Sequence, residues 1–380
     1  MKILITTEWY KPVVNGVVTS VLNLEKGLRE DGHDVRILTL SNSSKHRREG
    51  NVYYMSSLGA GKVYPNARIA LPMNSSLIDE IIDWQPDVIH SQCEFCTFIY
   101  AKEISRKTGA PIVHTYHTVY EGYTHYFCPN KVLGKKIVRM FSRRIASSSS
   151  RFIVPSSKMY DMLTEYNISA PMSVIPSGIE LGGYLSDKTD EREKIRNEYG
   201  IGEDETLLVS IGRIAREKNL DEILQLMADD RTGNIRLMLV GDGPYRDDIE
   251  AHVKKLGLSE RVIFTGMVKP QEVKNFYSAG DIFVSASNSE TQGLTYMEAM
   301  ASGLPILCKK DECLKDVVEQ GVNGYEYENR AEFIGILQEL INSQTLRNNI
   351  GAKARETMIN KFSLKSFARA CEELYKECVA

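Results

Sequence analysis

The sequence predicts an α/β protein with two doubly wound, Rossmann-like domains that face a cleft. Three observations support this prediction. The chain has 380 residues, which is too long for one ordinary hydrophobic core. Short β-rich runs alternate with amphipathic helical patterns, as in parallel sheets covered by helices on both faces. The polar, glycine-containing residues 177–190 interrupt this alternation, which then begins again.

The first domain is predicted to comprise residues 1–178 together with a C-terminal helix, residues 363–380. It opens with the strand pattern KILITT and the helical pattern NGVVTSVLNLEKGLREDGH. Later strand patterns, with helical patterns between them, are DVRILTL, PDVIHS, APIVHTY, RFIVPS and PMSVIPS. The last helical pattern, SLKSFARACEELYKECV, has no strand after it, and we assign it to the first domain.

The second domain is predicted to comprise residues 186–362. Its strand patterns are TLLVSIGR, IRLMLVGDG, RVIFTG, DIFVSAS and LPILCK. Helices are predicted at residues 218–229, 244–256, 270–278, 293–302 and 313–320. Ligands of doubly wound sheets bind outside the carboxyl ends of the strands. The motifs that carry chemistry are therefore expected in the loops that follow the strands.

Composition narrows the functional class. A hydrophobic fraction of 42% and a charged fraction of 26% are typical of a soluble globular protein and argue against disorder. The sequence has no run of eighteen apolar residues, so it predicts no membrane-spanning helix. The N-terminus lacks the pattern of a signal peptide. We expect a cytoplasmic protein with no nucleic-acid partner and no obligate protein partner.

No metal site is predicted from the cysteines and histidines. The seven cysteines are scattered, and the single C-x-x-C pair, Cys93 and Cys96, has no second pair at zinc-finger spacing. We interpret the cysteines as free thiols of a reducing compartment. His114 and His117 lie near Glu121 and His125, but their spacing does not match HExxH.

The motif SIGRIAREKNLDEIL follows a predicted strand and opens a helix. Gly212 allows the backbone to turn, and Arg213 and Lys218 bracket the turn. Together with the free N–H groups of a helix N-terminus, these cations form a candidate diphosphate site. Two solvated basic residues are the alternative, but cations at a helix start oppose its dipole, which favours a function. The next glycine turn, LVGDGPYRDDIE, is a weak dinucleotide signal, for which ligand binding and a structural role are equally open.

The stretch SETQGLTYMEAMASGLP contains two glutamates, Glu290 and Glu298, eight positions apart. A carboxylate pair is the usual signature of glycoside hydrolysis. Here Glu290 is expected in a turn and Glu298 inside the following helix, whose positive end is formed by the N–H groups of Gly293, Leu294 and Thr295. We therefore interpret the two glutamates as holding two hydroxyl-bearing parts of one ligand. The simpler alternatives are a helix cap for Glu290 and a surface position for Glu298.

Two motifs of the first domain lie at predicted strand ends. Asn15 and Gly16 follow the first strand, where Gly16 permits the close approach of a phosphate or a sugar. An ordinary strand-to-helix turn is the alternative at this position. The strand in PIVHTYHTVYEGYTHY delivers His117 to the same edge of the predicted sheet.

A basic amphipathic pattern follows, because residues 122–160 contain eight Lys or Arg and no acidic residue. In KVLGKKIVRMFSRRI, apolar residues recur at near-helical spacing between the cations, and several tyrosines precede them. The pattern fits attachment to an anionic membrane surface. A helix that packs on the sheet is an equally open alternative. The candidate membrane-contact residues are Lys131, Lys135, Lys136, Arg139, Arg143 and Arg144.

The motifs GRIAREK, VGDGPYR, FTGMV, SETQGLTYMEAMASGLPIL and NGYEYEN together resemble the C-terminal domain of retaining GT-B glycosyltransferases of family four. The E-x7-E element, here Glu290 and Glu298, is the hallmark of that family. NGVVTSV, VIHSQCEF and HTYHT extend the resemblance across essentially the whole chain. Within the family, HTYHTVYEGYTHY and the basic helix resemble the diacylglycerol glucosyltransferases of Gram-positive bacteria.

The resemblance implies roles on the donor side. Arg213 and Lys218 are expected to bind the donor diphosphate, and Glu298 the ribose hydroxyls. Glu290 and His117 are expected to contact the donor sugar and to complete the catalytic set. The resemblance also places the backbone amides of Gly293 and Leu294 near the donor sugar. We add Gly212 and Thr295 to the donor-binding residues from their positions in the two motifs.

The resemblance also implies roles for residues of the N-terminal domain. Gly16 is expected to approach the donor phosphate, and Asn15 carries over less firmly because the family often has Gly-Gly there. The resemblance implies that Glu94 faces the acceptor, and we expect Tyr120 and Tyr123 on the acceptor side as well.

The implied activity is that of a retaining hexosyltransferase that needs no metal and no other cofactor. We expect it to move a hexose, glucose in the first instance, from a UDP-sugar such as UDP-glucose to diacylglycerol. The protein would act while bound peripherally to the cytoplasmic face of the cell membrane. The alternatives are a family member with a soluble or polysaccharide-linked sugar acceptor and a non-catalytic nucleotide-sugar-binding protein.

Overall fold

The computed structural model describes residues 1–60, 68–70, 75–121, 130–185, 189–228, 234–287 and 290–379. Its contacts divide the chain into two compact units. Unit 1 contains Met1–Gly178 and Leu364–Ala380, and unit 2 contains Ile179–Ser363. Each unit is built around a largely parallel sheet with helices on its faces, which is the fold class that the sequence predicts. The cleft stays a prediction.

Unit 1 contains one large sheet and one small hairpin. The strands of the sheet are β1 (Lys2–Thr6), β2 (Asp34–Leu40), β3 (Arg47–Glu49), β4 (Val52–Met55), β7 (Val88–Ser91), β8 (Ile112–Thr115), β9 (Arg151–Val154) and β10 (Met172–Val174). The hairpin pairs β5 (Ser57–Gly59) with β6 (Arg68–Ala70). The sheet has the order β10-β9-β8-β7-β1-β2-β4-β3, and among its described strands β3 pairs antiparallel with β4 while the other pairs are parallel. The order changes direction between β1 and β7, which places a crevice at their carboxyl ends.

The helices of unit 1 are α1 (Gly16–Glu30), α2 (Ser76–Trp84), α3 (Cys96–Thr108), α4 (Lys131–Ala146), α5 (Ser157–Glu165) and α14 (Leu364–Val379). The C-terminal helix α14 packs on α1. A Cβ at Gly27 of α1 would lie 2.6 Å from Leu364 and 2.7 Å from Ala368, so a larger residue would push the helices apart. The hydroxyl of Tyr375 in α14 lies 2.5 Å from Nδ1 of His90 in β7. These contacts hold the last helix on unit 1.

Unit 2 contains a six-stranded sheet in which every pair is parallel. Its strands are β11 (Thr206–Ile211), β12 (Ile235–Val240), β13 (Val262–Gly266), β14 (Ile282–Ser285), β15 (Ile306–Lys309) and β16 (Tyr325–Tyr327). The order is β13-β12-β11-β14-β15-β16. This is the strand order of dinucleotide-binding folds, and its change of direction lies between β11 and β14.

The helices of unit 2 are α6 (Gly182–Leu185), α7 (Thr189–Glu198), α8 (Leu220–Ala228), α9 (Arg246–Lys255), α10 (Pro270–Ala279), α11 (Leu294–Ala301), α12 (Arg330–Asn342) and α13 (Gln344–Lys361). The helix predicted at residues 313–320 is wrong. A 3-10 turn, Glu312–Leu314, forms there instead, with the Asp311 side chain accepting from the N–H of Cys313. The chain then turns toward β16, because the Asn323 side chain accepts from the N–H of Glu319 and donates to the carbonyl oxygen of Val317.

Helix α7 begins inside the stretch that the sequence assigned to the domain boundary. Arg192 and Arg196 of α7 both pair with Asp281, at 2.6 and 3.1 Å. Asp281 also accepts a 2.8 Å hydrogen bond from the N–H of Leu207 in β11. The mostly buried carboxylate therefore fastens α7 to the start of β11 and β14.

Successive residues of the central strands face opposite sides of each sheet, and both sides are buried. In β1, Ile3 and Ile5 belong to one core cluster and Leu4 to another. In β11, Leu207 and Leu208 likewise lie in different clusters. Burial on both faces is the reason that these strands are continuous apolar runs in the sequence.

Candidate active site

The candidate site of unit 2 lies at the carboxyl edge of its sheet, where the strand order changes direction. β11 ends at Ile211 and leads into the GRIAREK loop, and β14 ends at Ser285 and leads toward α11. The structure therefore brings together the two motifs that the sequence singled out. The concavity between them is lined by residues that include Gly212, Arg213, Lys218, Glu290 and Thr295.

The two glycines of the VGDG turn make room for the loop that carries Arg213. A Cβ at Gly241 would lie 2.1 Å from the carbonyl oxygen of Gly212. A Cβ at Gly243 would lie 2.2 Å from the carbonyl oxygen of Ile214. Real Cβ atoms do not approach backbone this closely, so both positions require glycine. The structure therefore gives the two glycines a structural role, which was one of the two interpretations of this turn.

Replacing Gly243 by alanine is expected to displace the loop that carries Arg213, because the atoms that block the new Cβ belong to the backbone. We expect the affinity of the candidate diphosphate site for inorganic diphosphate to fall about tenfold or more and the free energy of unfolding to fall by about 1–3 kcal/mol. Calorimetric titration and urea unfolding measure the two effects. Gly335→Ala, at a helical position with open space, is the matched control. Unchanged diphosphate binding by Gly243→Ala would contradict the prediction.

Lys218 and Glu290 form an ion pair across the two loops. Lys218 Nζ lies 2.5 Å from Glu290 Oε1, and both side chains are partly buried. Arg213 pairs in the same way with Glu217, within the loop that contains the 3-10 turn Arg216–Lys218. Both cations are thus positioned before any ligand binds, which lowers the entropy lost when an anion arrives.

The sequence interpretation did not include Glu217. The available signal is its position four residues after Arg213, a spacing that places opposite charges on one face of a helical turn. The structure shows this pair. Glu217 is therefore an additional member of the candidate site.

Asn219 fastens the β11 loop to the β14 loop. Its backbone is left-handed, with φ of 52°, and its amide donates to the carbonyl oxygen of Ala286 at 3.3 Å. The same amide donates to Glu222 Oε2 at 2.6 Å, and Glu222 also pairs with Lys309 at 2.6 Å. These contacts hold the loop at a fixed position beside β14 and β15.

Helix α11 begins directly beside the ion pair. Its cap, Gly293, has φ of 75°, and a Cβ there would lie 2.5 Å from the ring of Tyr296. The first-turn N–H groups, which include those of Leu294 and Thr295, have no partner within the helix and form its positive end. The cap position itself is a glycine, which has no side chain to bond these N–H groups, and a capping role for Glu290 stays an alternative. The carboxylate of Glu290 bonds Lys218.

Glu298 lies inside α11 and is partly buried. The hydroxyl of Tyr277 donates to Glu298 Oε2 at 2.8 Å, and the hydroxyl of Tyr184 bonds the same carboxylate. Burial raises the pKa of Glu298 to about 7, although both tyrosine hydrogen bonds lower it. The alternative of an ordinary surface position is therefore wrong.

In unit 1, Asn15 and Gly16 lie at the start of α1. The side chain of Asn15 caps this helix by accepting from the N–H of Val18 at 2.9 Å. Gly16 is the first residue of the helix and is exposed. The structure thus gives Asn15 a local structural role, and the donor-binding roles of both residues stay predictions.

His117 follows β8 and is held by Gln92, which follows β7. Nε2 of His117 lies 2.6 Å from Gln92 Oε1. Burial, with a smaller contribution from His114, lowers the pKa of His117 to about 3. The imidazole is therefore neutral at physiological pH. With the amide oriented as it is, Nε2 carries the hydrogen and Nδ1 can accept one.

Glu94 is buried two residues further along the loop after β7. The hydroxyl of Tyr120 donates to Glu94 Oε2 at 2.5 Å, and His114 Nε2 lies 3.4 Å from Oε1. The structure therefore brings together two of the three predicted acceptor-side residues. Tyr123 lies outside the described residues.

Glu8 is a buried residue at this edge that the sequence interpretation did not include. Its carboxylate accepts from the N–H of Thr97 at 2.7 Å and from the Thr97 hydroxyl at 3.1 Å. Burial raises the pKa of Glu8 to about 7, and the nearby charge of Glu94 contributes. The carboxylate fixes the start of α3 and hence the loop that carries Gln92 and Glu94. An acidic residue directly after the first strand is the signal in the sequence.

Helix α4 packs on unit 1 through one face and exposes the other. Val138 and Ile145 are buried, whereas Val132 is 80% exposed and Met140 is 67% exposed. The alternative, in which this helix packs on the sheet, therefore holds for one face of the helix. The exposed part of the helix carries both apolar side chains and cations, and its attachment to a membrane stays a prediction.

The basic residues of α4 differ in their contacts. Lys135 pairs with Glu121 at 2.7 Å, and Arg143 Nε donates to the carbonyl oxygen of Tyr166 at 2.5 Å. Lys136 and Arg144 are exposed. Arg139 lies over the ring of Tyr166 and near Glu121, and the side chain of Lys131 lies outside the described part.

Among the residues that the structure describes, no cluster of three or more His, Cys, Asp or Glu side chains is placed to hold a metal ion. Within the same ranges, no helix has the length and hydropathy needed to cross a bilayer. Independence of a metal stays a prediction.

The fold and the site together have the features of a GT-B glycosyltransferase. Each half of the chain is a Rossmann-like unit, and the second has paired cations at the switch point of its sheet. Residues 14–182 match the family described as "Glycosyltransferase Family 4". Residues 191–357 match the family described as "Glycosyl transferases group 1".

Full-length relatives agree with these matches. An "Alpha-monoglucosyldiacylglycerol synthase" of Streptococcus pneumoniae is 31% identical over 100% of this chain and 86% of its own. A protein of the same name from Acholeplasma laidlawii is 30% identical over 100% and 98%. The chain therefore belongs to family four of the GT-B glycosyltransferases.

Solved structures share the fold at lower identity. Anabaena HepE in complex with UDP-glucose superposes with a TM-score of 0.78 at 18% identity, over 99% of this chain and 100% of that one. Sucrose-phosphate synthase from Thermosynechococcus elongatus has a TM-score of 0.78 at 19% identity, over 99% and 98%. These likenesses establish the fold.

Proposed function

We propose that this protein transfers glucose from UDP-glucose to diacylglycerol, with retention of configuration, at the cytoplasmic face of an anionic membrane. One observation carries the donor half of the proposal. Lys218 and Arg213, each held by a carboxylate, lie beside the N-terminal end of α11. The names of the full-length relatives support diacylglycerol as the acceptor.

The leaving group of such a transfer is UDP, which gains negative charge as the bond to the sugar breaks. In the proposal, Arg213 and Lys218 stabilise this charge together with the N–H groups that begin α11. Because the groups are already in place, little reorganisation is needed during the reaction. Cations of the protein would thus take the role that a divalent metal has in other transferases.

The sugar and the ribose would be held by the two glutamates. Glu298 would accept from the ribose hydroxyls and Glu290 from the sugar hydroxyls, as the family resemblance implies. His117 would accept a sugar hydroxyl at Nδ1, because Nε2 is bonded to Gln92. Gly16 and Asn15 would lie near the donor phosphate.

Retention is proposed to follow from attack on the same face that UDP leaves. The donor phosphate would take the proton of the acceptor hydroxyl as the glycosidic bond breaks and the new one forms. Glu290 is ion-paired with Lys218, which favours a binding role for it over that of a covalent nucleophile.

The acceptor would reach the site along the face of unit 1 that carries Glu94 and Tyr120. The rings of Phe95 and Phe141 stack at 5.7 Å, and Tyr120 packs on both. Phe141 belongs to α4, so the aromatic cluster joins the proposed membrane face to Glu94. An apolar route of this kind suits acyl chains.

A panel of nucleotide sugars tests the proposal. Purified protein is incubated with UDP-glucose, UDP-galactose or GDP-mannose and with anionic vesicles that contain diacylglycerol, with and without EDTA. We expect a monohexosyl lipid from UDP-glucose, with an α-linkage by NMR and no effect of EDTA. Product on a soluble sugar but not on lipid would support the first alternative. Nucleotide binding without any UDP release would support the non-catalytic alternative.

A further inference from the structure

The carboxylate of Glu298 receives hydrogen bonds from two tyrosines on separate helices. Tyr277 lies on α10, and its hydroxyl is 2.8 Å from Glu298 Oε2. Tyr184 lies on α6, 114 positions before Glu298 in the chain, and its hydroxyl bonds the same carboxylate. The sequence motif that contains Glu298 includes neither tyrosine.

We propose that Tyr277 and Tyr184 are positioning residues that orient the ribose-binding carboxylate of Glu298 through their two phenol hydrogen bonds. The proposal rests on the function above, in which Glu298 binds the ribose of the donor. It adds two residues that would act on the nucleotide through Glu298, without contacting the nucleotide themselves.

The number of hydrogen bonds that a carboxylate accepts is compatible with this arrangement. An ionised carboxylate has about four acceptor sites on its two oxygens. Two phenols occupy two of these sites, so two remain for the two ribose hydroxyls. The tyrosines and the ribose can therefore bond Glu298 at the same time.

Tyr277 is suited to hold another side chain because it is itself held. It has no exposed surface, and its ring packs against those of Tyr184 and Phe283, with centroids 6.1 Å away in each case. Its hydroxyl also lies 3.2 Å from the carbonyl oxygen of Thr295, in the first turn of α11. The position of the carboxylate is thus tied to the helix end where the phosphates are proposed to bind.

The pair also affects ionisation. Burial raises the pKa of Glu298 to about 7, and the hydrogen bonds from Tyr277 and Tyr184 oppose this rise because they stabilise the charged form. Glu180 faces Tyr184 and contributes a further negative charge there. Ribose hydroxyls bond best to the ionised carboxylate, so UDP affinity should rise as pH increases through 7. Loss of either phenol should move this rise to higher pH.

Calorimetric titration of the full-length protein with UDP, from pH 6 to pH 9, tests the proposal. The variants are Tyr277→Phe, Tyr184→Phe and Glu298→Gln. Tyr166→Phe is the matched control, because Tyr166 is equally buried and donates to a glutamate, Glu121, at 2.8 Å in unit 1. The pH dependence of UDP binding by Glu298→Gln gives the contribution from titration of UDP itself, which is subtracted from that of the other proteins. Melting temperatures show whether each variant is folded.

We expect Tyr277→Phe to weaken UDP binding about tenfold at pH 7, as for loss of a hydrogen bond to a charged group. The loss should shrink toward pH 9, and Tyr184→Phe, at a less buried residue, should show the same trend. Wild-type affinity and pH midpoint in both variants, with Glu298→Gln impaired, would overturn the positioning role. Tighter binding by Tyr184→Phe would also overturn it, since Tyr184 would then compete with ribose. Wild-type UDP binding by Glu298→Gln would instead remove the ribose assignment of the proposed function.

Discussion

Alanine at Lys218 or at Arg213 is expected to lower the turnover of UDP-glucose by about 10²- to 10³-fold, as for loss of one preorganised group at a developing charge. Both side chains line the concavity beside α11, and each is already fixed by a carboxylate. In the proposed transfer, their interaction with the donor would strengthen as charge moves onto the leaving UDP. The rate constant should therefore fall more than the affinity for UDP-glucose. Single-turnover release of UDP in the presence of diacylglycerol vesicles measures it.

Arg216→Ala is the matched control for both variants. Arg216 belongs to the same loop but is exposed, and its guanidinium lies 5.0 Å from the ring centre of Tyr245. We expect nearly normal turnover in this variant. Near-normal turnover in Lys218→Ala or Arg213→Ala would refute the assignment of that residue to the diphosphate.

Removal of the exposed cations and apolar side chains of α4 is expected to release the protein from anionic vesicles. Lys136→Gln with Arg144→Gln should cost about 2 kcal/mol, at about 1 kcal/mol for each cation near an anionic surface. Val132→Ser with Met140→Ser should cost a further ~2 kcal/mol, because these exposed side chains no longer enter the apolar layer. The combined variant should bind about 10³-fold more weakly. Co-sedimentation with vesicles that contain phosphatidylglycerol measures the change.

The same types of substitution on a helix of unit 2 provide the control. Lys353→Gln with Ile359→Ser changes an exposed cation and an exposed apolar residue of α13. We expect vesicle binding to be unchanged. Binding of the wild type should also weaken as salt rises, because the charge contribution is screened. Undiminished binding of the α4 variant would refute the membrane assignment and favour a soluble acceptor.

The loop motifs were predictable because their chemistry is local. The fifteen residues SIGRIAREKNLDEIL contain all of the local signals. These are a glycine after a buried strand, two cations around a turn and the start of a helix. The same holds for Glu290 in a turn before α11. Glu217 was not predicted at this loop, because the only sign in the sequence of its pairing with Arg213 is a spacing of four residues.

The surroundings of Glu298 were not predictable, because they depend on distant parts of the chain. Tyr184 and Tyr277 come from two other helices and bond Glu298, whose pKa is raised by burial. The pairing of Lys218 with Glu290 also joins loops that are 72 positions apart. The hydrophobic periodicity of one segment does not predict contacts with a distant segment.

The sequence by itself determined the alternation of strands and helices, since continuous apolar runs and helical spacing follow from burial on both faces of a parallel sheet. Only the tertiary structure decided the order of the strands and the contacts of α14, whose Tyr375 bonds His90 across 285 positions. It also decided that residues 313–320 form a turn, in which the Asn323 side chain bonds the backbone of Val317 and Glu319. The strand order and the place of α14 depend on packing between distant segments, and this turn depends on side-chain bonds to the backbone. Hydrophobic periodicity encodes neither kind of contact.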